Sequence, residues 1–123
     1  MPTIRIQAIT PTDRDIGELL TDCTAAAADA LGIPQDWVWA LFQVVESGTY
    51  AEGNRVWCAE DAHNAAVLIS ITALEGRTPQ LKAAVLTATS KAAAGYLGLP
   101  LSQVFAEYRD IPGGHAFTGG EIV

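Results

Sequence analysis

The chain has 123 residues, half of them hydrophobic and 17% charged, with 14 acidic residues against 7 basic ones and a formal charge of -7. This length holds one compact domain, or two half-sized units sharing a core, and the apolar content excludes a disordered composition. The acidic balance argues against nucleic acid or an anionic membrane as the main partner, so a small acid would have to be met by one of few arginines.

In chain order, the opening Met-Pro-Thr-Ile-Arg-Ile-Gln has no basic segment followed by a long apolar run. No later stretch approaches the ~20 apolar residues of a membrane span, and a cytoplasmic location is expected. Thr3 to Ile9 alternates apolar and polar residues, the period of a strand with one covered face. From Asp13 to Leu31 the apolar positions Ile16, Leu19, Leu20, Cys23, Ala27, Ala30 and Leu31 recur at three- and four-residue steps, which predicts a helix with one buried stripe. Gly32, two residues before Pro34, marks its stop. The apolar run Val38 to Val45 supplies a second strand.

The same order then returns. Val67 to Leu74 reads as a strand, Thr78-Pro79 as a helix start, and Leu81, Ala84, Val85, Ala88 and Ala92 as a helical stripe. Leu97-Gly98-Leu99-Pro100 answers Leu31-Gly32-Ile33-Pro34, and Val104 to Tyr108 closes the second half as a strand. Two tandem β-α-β units are predicted, 1–60 and 66–123, forming a single domain. Crossovers through helices pair the strands of each unit in parallel, so the fold class is α/β (α+β): a four-stranded sheet with two helices on one face. The other face carries apolar residues and is expected to be covered by self-association.

Two cysteines, Cys23 and Cys58, are too few for a disulfide scaffold, and Cys23 falls on a helical stripe. His63 and His115 have no ligand-spaced partners, since Cys58 and His63 are the nearest pair and a pair cannot close a zinc site. No phosphate-binding glycine loop or nucleophile elbow is present.

The proline after the initiator methionine, the β-α-β unit, Leu74-Glu75-Gly76-Arg77-Thr78 and the tail Gly113-Gly114-His115-Ala116-Phe117-Thr118-Gly119-Gly120 together resemble 4-oxalocrotonate tautomerase. The similarity covers most of 67–123, while the first half resembles the unit more loosely through Pro2, Leu31 to Pro34 and Gly48-Thr49-Tyr50. The chain looks like a fused, double-length member of the tautomerase superfamily. The resemblance implies a homotrimer with a barrel of three sheets, an active site at the base of the first strand near subunit boundaries, and neither metal nor organic cofactor.

It also implies roles. Loss of Met1 leaves Pro2 as a secondary amine; an α-amino group titrates near ~7.7 to 8.0, and an apolar pocket lowers that toward neutrality, where a general base works best. Arg77 matches a substrate-binding arginine, and its guanidinium can grip a carboxylate at two points. Where several relatives carry further arginines this chain has Leu74, Trp39 and Phe105, which disfavours a dicarboxylate and fits a monoacid or an aromatic keto acid. Glu107 matches a polar active-site position in relatives of the macrophage migration inhibitory factor type, and shares a sheet face with Phe105. Trp39, Phe105 and Phe117 are expected to line the pocket.

The expected activity is proton transfer between carbon and oxygen, or along a conjugated system, of an α-keto acid or its enol, with a small carboxylic acid as partner. One alternative is a hydratase, dehalogenase or decarboxylase with protonated Pro2 as general acid. Glu52 matches a water-activating glutamate of the trans-3-chloroacrylic acid dehalogenase pattern but lies in the first half, where Thr118 holds the corresponding place in the second, and Asp36 lies one residue from the decarboxylase aspartate. A non-catalytic trimeric binding protein of the same fold is the other alternative.

Overall fold

The computed structural model describes residues 1–9, 15–62 and 64–123. The expected helix start at Asp13 and the side chain of His63 lie outside them. Four strands make the main sheet: β1 (Thr3–Ala8), β2 (Trp39–Val44), and, beyond a hairpin of β3 (Tyr50–Glu52) and β4 (Arg55–Trp57), β5 (Val67–Leu74) and β6 (Val104–Ile111). The chain ends in a second hairpin, β7 (Phe117–Thr118) with β8 (Glu121–Ile122). Sheet order is β2-β1-β5-β6, with β1 parallel to β2, β5 parallel to β6 and the central pair β1 and β5 antiparallel. This is an α+β fold of two β-α-β units, the second running opposite to the first.

Helices α1 (Ile16–Leu31) and α2 (Pro79–Leu97) begin and end by the same devices. Asp15 accepts from the Glu18 N–H at one start and Thr78 from the Leu81 N–H at the other, satisfying amides that have no partner inside the helix. Gly32 and Gly98 stand at φ of 68° and 69°, a left-handed turn that lets the N–H of Ile33 reach Ala28 O and that of Leu99 reach Ala94 O. The two glycine-proline segments therefore stop two helices in one geometry.

Period-two alternation settles the layers. Ile4, Ile6 and Ala8 of β1 and Val67, Ile69, Ile71 and Ala73 of β5 are buried under both helices. They meet Leu19, Cys23, Ala27 and Leu31 of α1 and Val85, Ala93 and Leu97 of α2. Alanine on these helix faces lets the helices approach the sheet and each other closely. A satellite core of Ile9, Trp57, Ala62 and Ala65 holds the first hairpin in place.

The opposite face bears no helix. Trp39, Leu41 and Phe105 are exposed there, interleaved with Arg5, Glu107 and Arg109, so it is mixed rather than uniformly apolar. Neither hairpin was expected from sequence.

Candidate active site

At the end of β5 the chain turns through Glu75, Gly76 and Arg77 into the Thr78 cap of α2. Gly76 has φ 118°, which a side chain would strain, and nothing lies within 4 Å of the place a Cβ would take. Glycine therefore serves the bend itself. The bend is pinned twice to the end of β6: the Glu75 N–H donates to Ile111 O at 2.9 Å, and Glu75 Oε1 accepts from the Gly113 N–H at 2.9 Å.

Antiparallel pairing sets Thr3 opposite Thr72, which brings the start of β1 beside this bend. Pro2 is buried there, and its carbonyl accepts from the Trp39 N–H at 3.0 Å. Pro2 and Arg77, from opposite halves of the chain, consequently line one cleft of about 590 Å³ together with Met1, Ile33, Trp37, Leu74, Glu75 and Gly76. Arg77 is half-buried and makes no ion pair among the described residues. Its guanidinium and the Glu75 carboxylate are the charged side chains of an otherwise apolar lining.

A second cleft of about 340 Å³ adjoins the first. Met1 and Leu74 border both, and the second is completed by Trp39, Ile111, Phe117 and Thr118 among others. Trp39 and Phe117 thus stand one methionine away from Pro2.

Phe105 and Glu107 are not brought to Pro2 within the chain. Parallel register pairs Phe105 with Leu68, four residues along β5 from the Thr72 that faces Thr3, and at ~3.3 Å per residue this is roughly 13 Å along the strand. Phe105 instead borders a hollow with Glu52, Asn64 and Ser102 at the other end of the sheet. Glu107 accepts from Arg109, at 3.1 Å from Nε and 2.9 Å from Nη2, on the open face.

Glu52 lies in that distant hollow, where Oε2 accepts from the Tyr50 hydroxyl at 2.7 Å and the Ala66 N–H at 3.1 Å. Burial, with this carboxylate adding to it, pushes the Tyr50 hydroxyl up to about 12. Glu52 is committed to its own hairpin. Asp36 does not line the Pro2 cleft; its neighbour Trp37 does. Ile33 stood out in the sequence only as part of the repeated glycine-proline stop and Trp37 not at all, the one available signal for it being its place just after that stop.

No protein-family model matches the chain, and no curated protein does. Solved structures do. A native fused 4-OT is 27% identical, with a TM-score of 0.84 over 98% of this chain and 94% of that one. The chain is a double-length member of the tautomerase superfamily. Alongside it stand a fused 4-OT described as an asymmetric trimer, 24% identical with a TM-score of 0.86 over 98% and 94% of the two chains, and Pt0534 inactivated by 2-oxo-3-pentynoate, 22% identical with a TM-score of 0.80 over 98% and 93%. This tautomerase-type chain therefore shares its fold with double-length relatives over 98% of its length.

Proposed function

We propose that the protein is a cofactor-independent tautomerase of α-keto acids or their enols, using Pro2 as general base once Met1 has been removed. The observation that carries this reading is the common cleft of Pro2 and Arg77. Arg77 would hold the substrate carboxylate, leaving the enol next to the proline nitrogen. Pro2 would take the enol hydroxyl proton; the O–H electrons form the carbonyl, the C=C pair takes a proton back from the prolinium at carbon, and the base is regenerated. With Met1 attached the nitrogen is an amide and has no such basicity, so excision is part of the proposal. Excision would also join the two clefts that Met1 borders, admitting Trp39 and Phe117 to the pocket wall.

The protein is proposed to act as a homotrimer, its two pseudo-repeats 1–60 and 66–123 serving as one domain, with the open sheet face turned toward neighbouring copies. Phe105 and Glu107 would then serve the Pro2 of another copy rather than their own. One observation favours a second reading, hydration of an unsaturated acid: Glu75 puts a carboxylate into the Pro2 cleft, with Oε1 held by Gly113. Glu75 would orient the attacking water while prolinium donates a proton.

Phenylenolpyruvate ketonisation, followed by ultraviolet absorbance, tests the first reading, and NMR of products from an acetylenic acid tests the second. The wild-type protein should ketonise the enol, Pro2→Ala should lose most of that activity while retaining its fold, and 2-oxo-3-pentynoate should add once to the terminal amine. Turnover unaffected by Pro2→Ala, or an intact mass showing Met1 retained in protein from its natural host, leaves the base unassigned and favours a binding protein.

A further inference from the structure

We propose that Trp37 sets the substrate class of the Pro2 cleft, selecting a monocarboxylic acid whose tail is a flat aromatic or conjugated group. This rests on the reading of Pro2 and Arg77 given above. Trp37 lines their cleft and is 53% exposed, so its indole is open to contact where a bound acid would extend.

The indole is carried on a braced backbone. Gln35–Trp37 form a single 3-10 turn, in which the Trp37 N–H donates to Pro34 O at 3.1 Å. Gln35 Nε2 donates to Thr21 O at 3.2 Å and Thr24 Oγ1 at 3.1 Å, tying the turn to α1, and two residues beyond Trp37 the chain bonds to Pro2 itself. The aromatic plane and the proposed base are thereby held in one frame before substrate arrives.

The duplication supplies an internal control. The counterpart of Trp37 in the second half is Gln103, at the same place in the 3-10 turn Leu101–Gln103 that follows Pro100. Gln103 is half-buried, and its Nε2 donates to Ala65 O at 3.2 Å, closing the turn against the chain. The turn therefore has no need of an aromatic residue, and of these two turns the one beside Pro2 carries it. Charge narrows the class further: Arg77 can take one carboxylate, while a second anionic group would meet Glu75. The remaining wall, Ile33, Leu74 and Trp37, offers apolar contact.

Cinnamate and crotonate share a carboxylate and a conjugated double bond and differ by phenyl against methyl. Their binding to protein lacking Met1, measured by isothermal titration calorimetry, isolates the tail. Stacking on an indole predicts that Trp37→Ala, and Trp37→Gln with the residue the other half already uses, weaken cinnamate about tenfold and crotonate less than about twofold, while Trp37→Phe keeps most of the preference. Equal weakening of both acids, no weakening, or loss of the phenyl preference in Trp39→Ala instead would overturn the proposal. Failure of either acid to bind the wild-type protein would remove the carboxylate-binding reading beneath it, a distinct result.

Discussion

Replacing Arg77 separates a binding residue from a structural one, because the two roles predict opposite effects. Arg77 directly precedes the Thr78 cap, so its cation faces the positive end of the α2 dipole, and no ion pair among the described residues offsets this. Removing a cation from a helix start relieves about 0.3–1 kcal/mol, and loss of the half-buried side-chain stem takes back an amount of similar order. Arg77→Ala should therefore change folding stability by less than about 1 kcal/mol. A substrate carboxylate would lose a charge-assisted hydrogen bond of about 1.5–3 kcal/mol, which is roughly a 10- to 150-fold rise in KM. Partial exposure of the site places the expectation toward the lower end. Phenylenolpyruvate kinetics over a range of concentrations, paired with urea unfolding at fixed protein concentration, read both quantities. Arg77→Lys keeps the charge without the planar fork and should recover part of the affinity. Unchanged KM together with destabilisation above about 2 kcal/mol would make Arg77 a fold residue and refute its role in binding.

Ile71 is 0% exposed at the centre of the sheet beneath both helices, so Ile71→Ala should lower stability by about 2–5 kcal/mol, read as a lower urea midpoint at an unchanged slope. Cys23 is fully buried, and burial, reinforced by Asp22, pushes its thiol from 9.0 up to about 12. Its folded form holds a proton that the unfolded chain releases near pH 9, so this contribution to stability is complete below pH 9 and is lost as pH rises toward about 12. Ellman's reagent at neutral pH should accordingly modify the half-exposed Cys58 and spare Cys23 until urea unfolds the protein; rapid native modification of both would contradict the packing of α1.

Much of the frame was legible because each signal was local and occurred twice. The caps at Thr78, Gly32 and Gly98 depend on one or two residues whose chemistry permits few alternatives, and the strand alternations at Thr3 and Val67 needed only period two. The hairpins escaped for the opposite reason. Tyr50–Glu52, Arg55–Trp57, Phe117–Thr118 and Glu121–Ile122 are two or three residues long, too short for periodicity, and the glycines around the second hairpin read as tail. Strand β6 ran three residues past its expected end at Tyr108, because the charged Arg109 and Asp110 interrupt the apolar run yet pair with Thr72 and Ala73, and Ile111 beyond them pairs with Leu74.

The site divides along the same line between what a motif carries and what register decides. Pro2 and Arg77 stood out by sequence, but nothing local says that β1 and β5 run antiparallel, and it is this pairing that sets the start of one half against the end of the other's first strand. The same register carries Phe105 and Glu107 away from Pro2, because parallel pairing of β6 to β5 starts at Val67 and only its last residues come level with Leu74. Residue type nominated Trp39, Phe105 and Phe117 for an aromatic wall and passed over Trp37. The choice follows from where each turn meets the sheet: Trp37 precedes β2 and faces the Pro2 cleft, Trp39 begins β2 and points across its open face, and Phe105 repeats that orientation at the far end. A duplicated fold offers two chemically similar ends, and Pro2 with the neighbouring Trp37 indole distinguishes one of them.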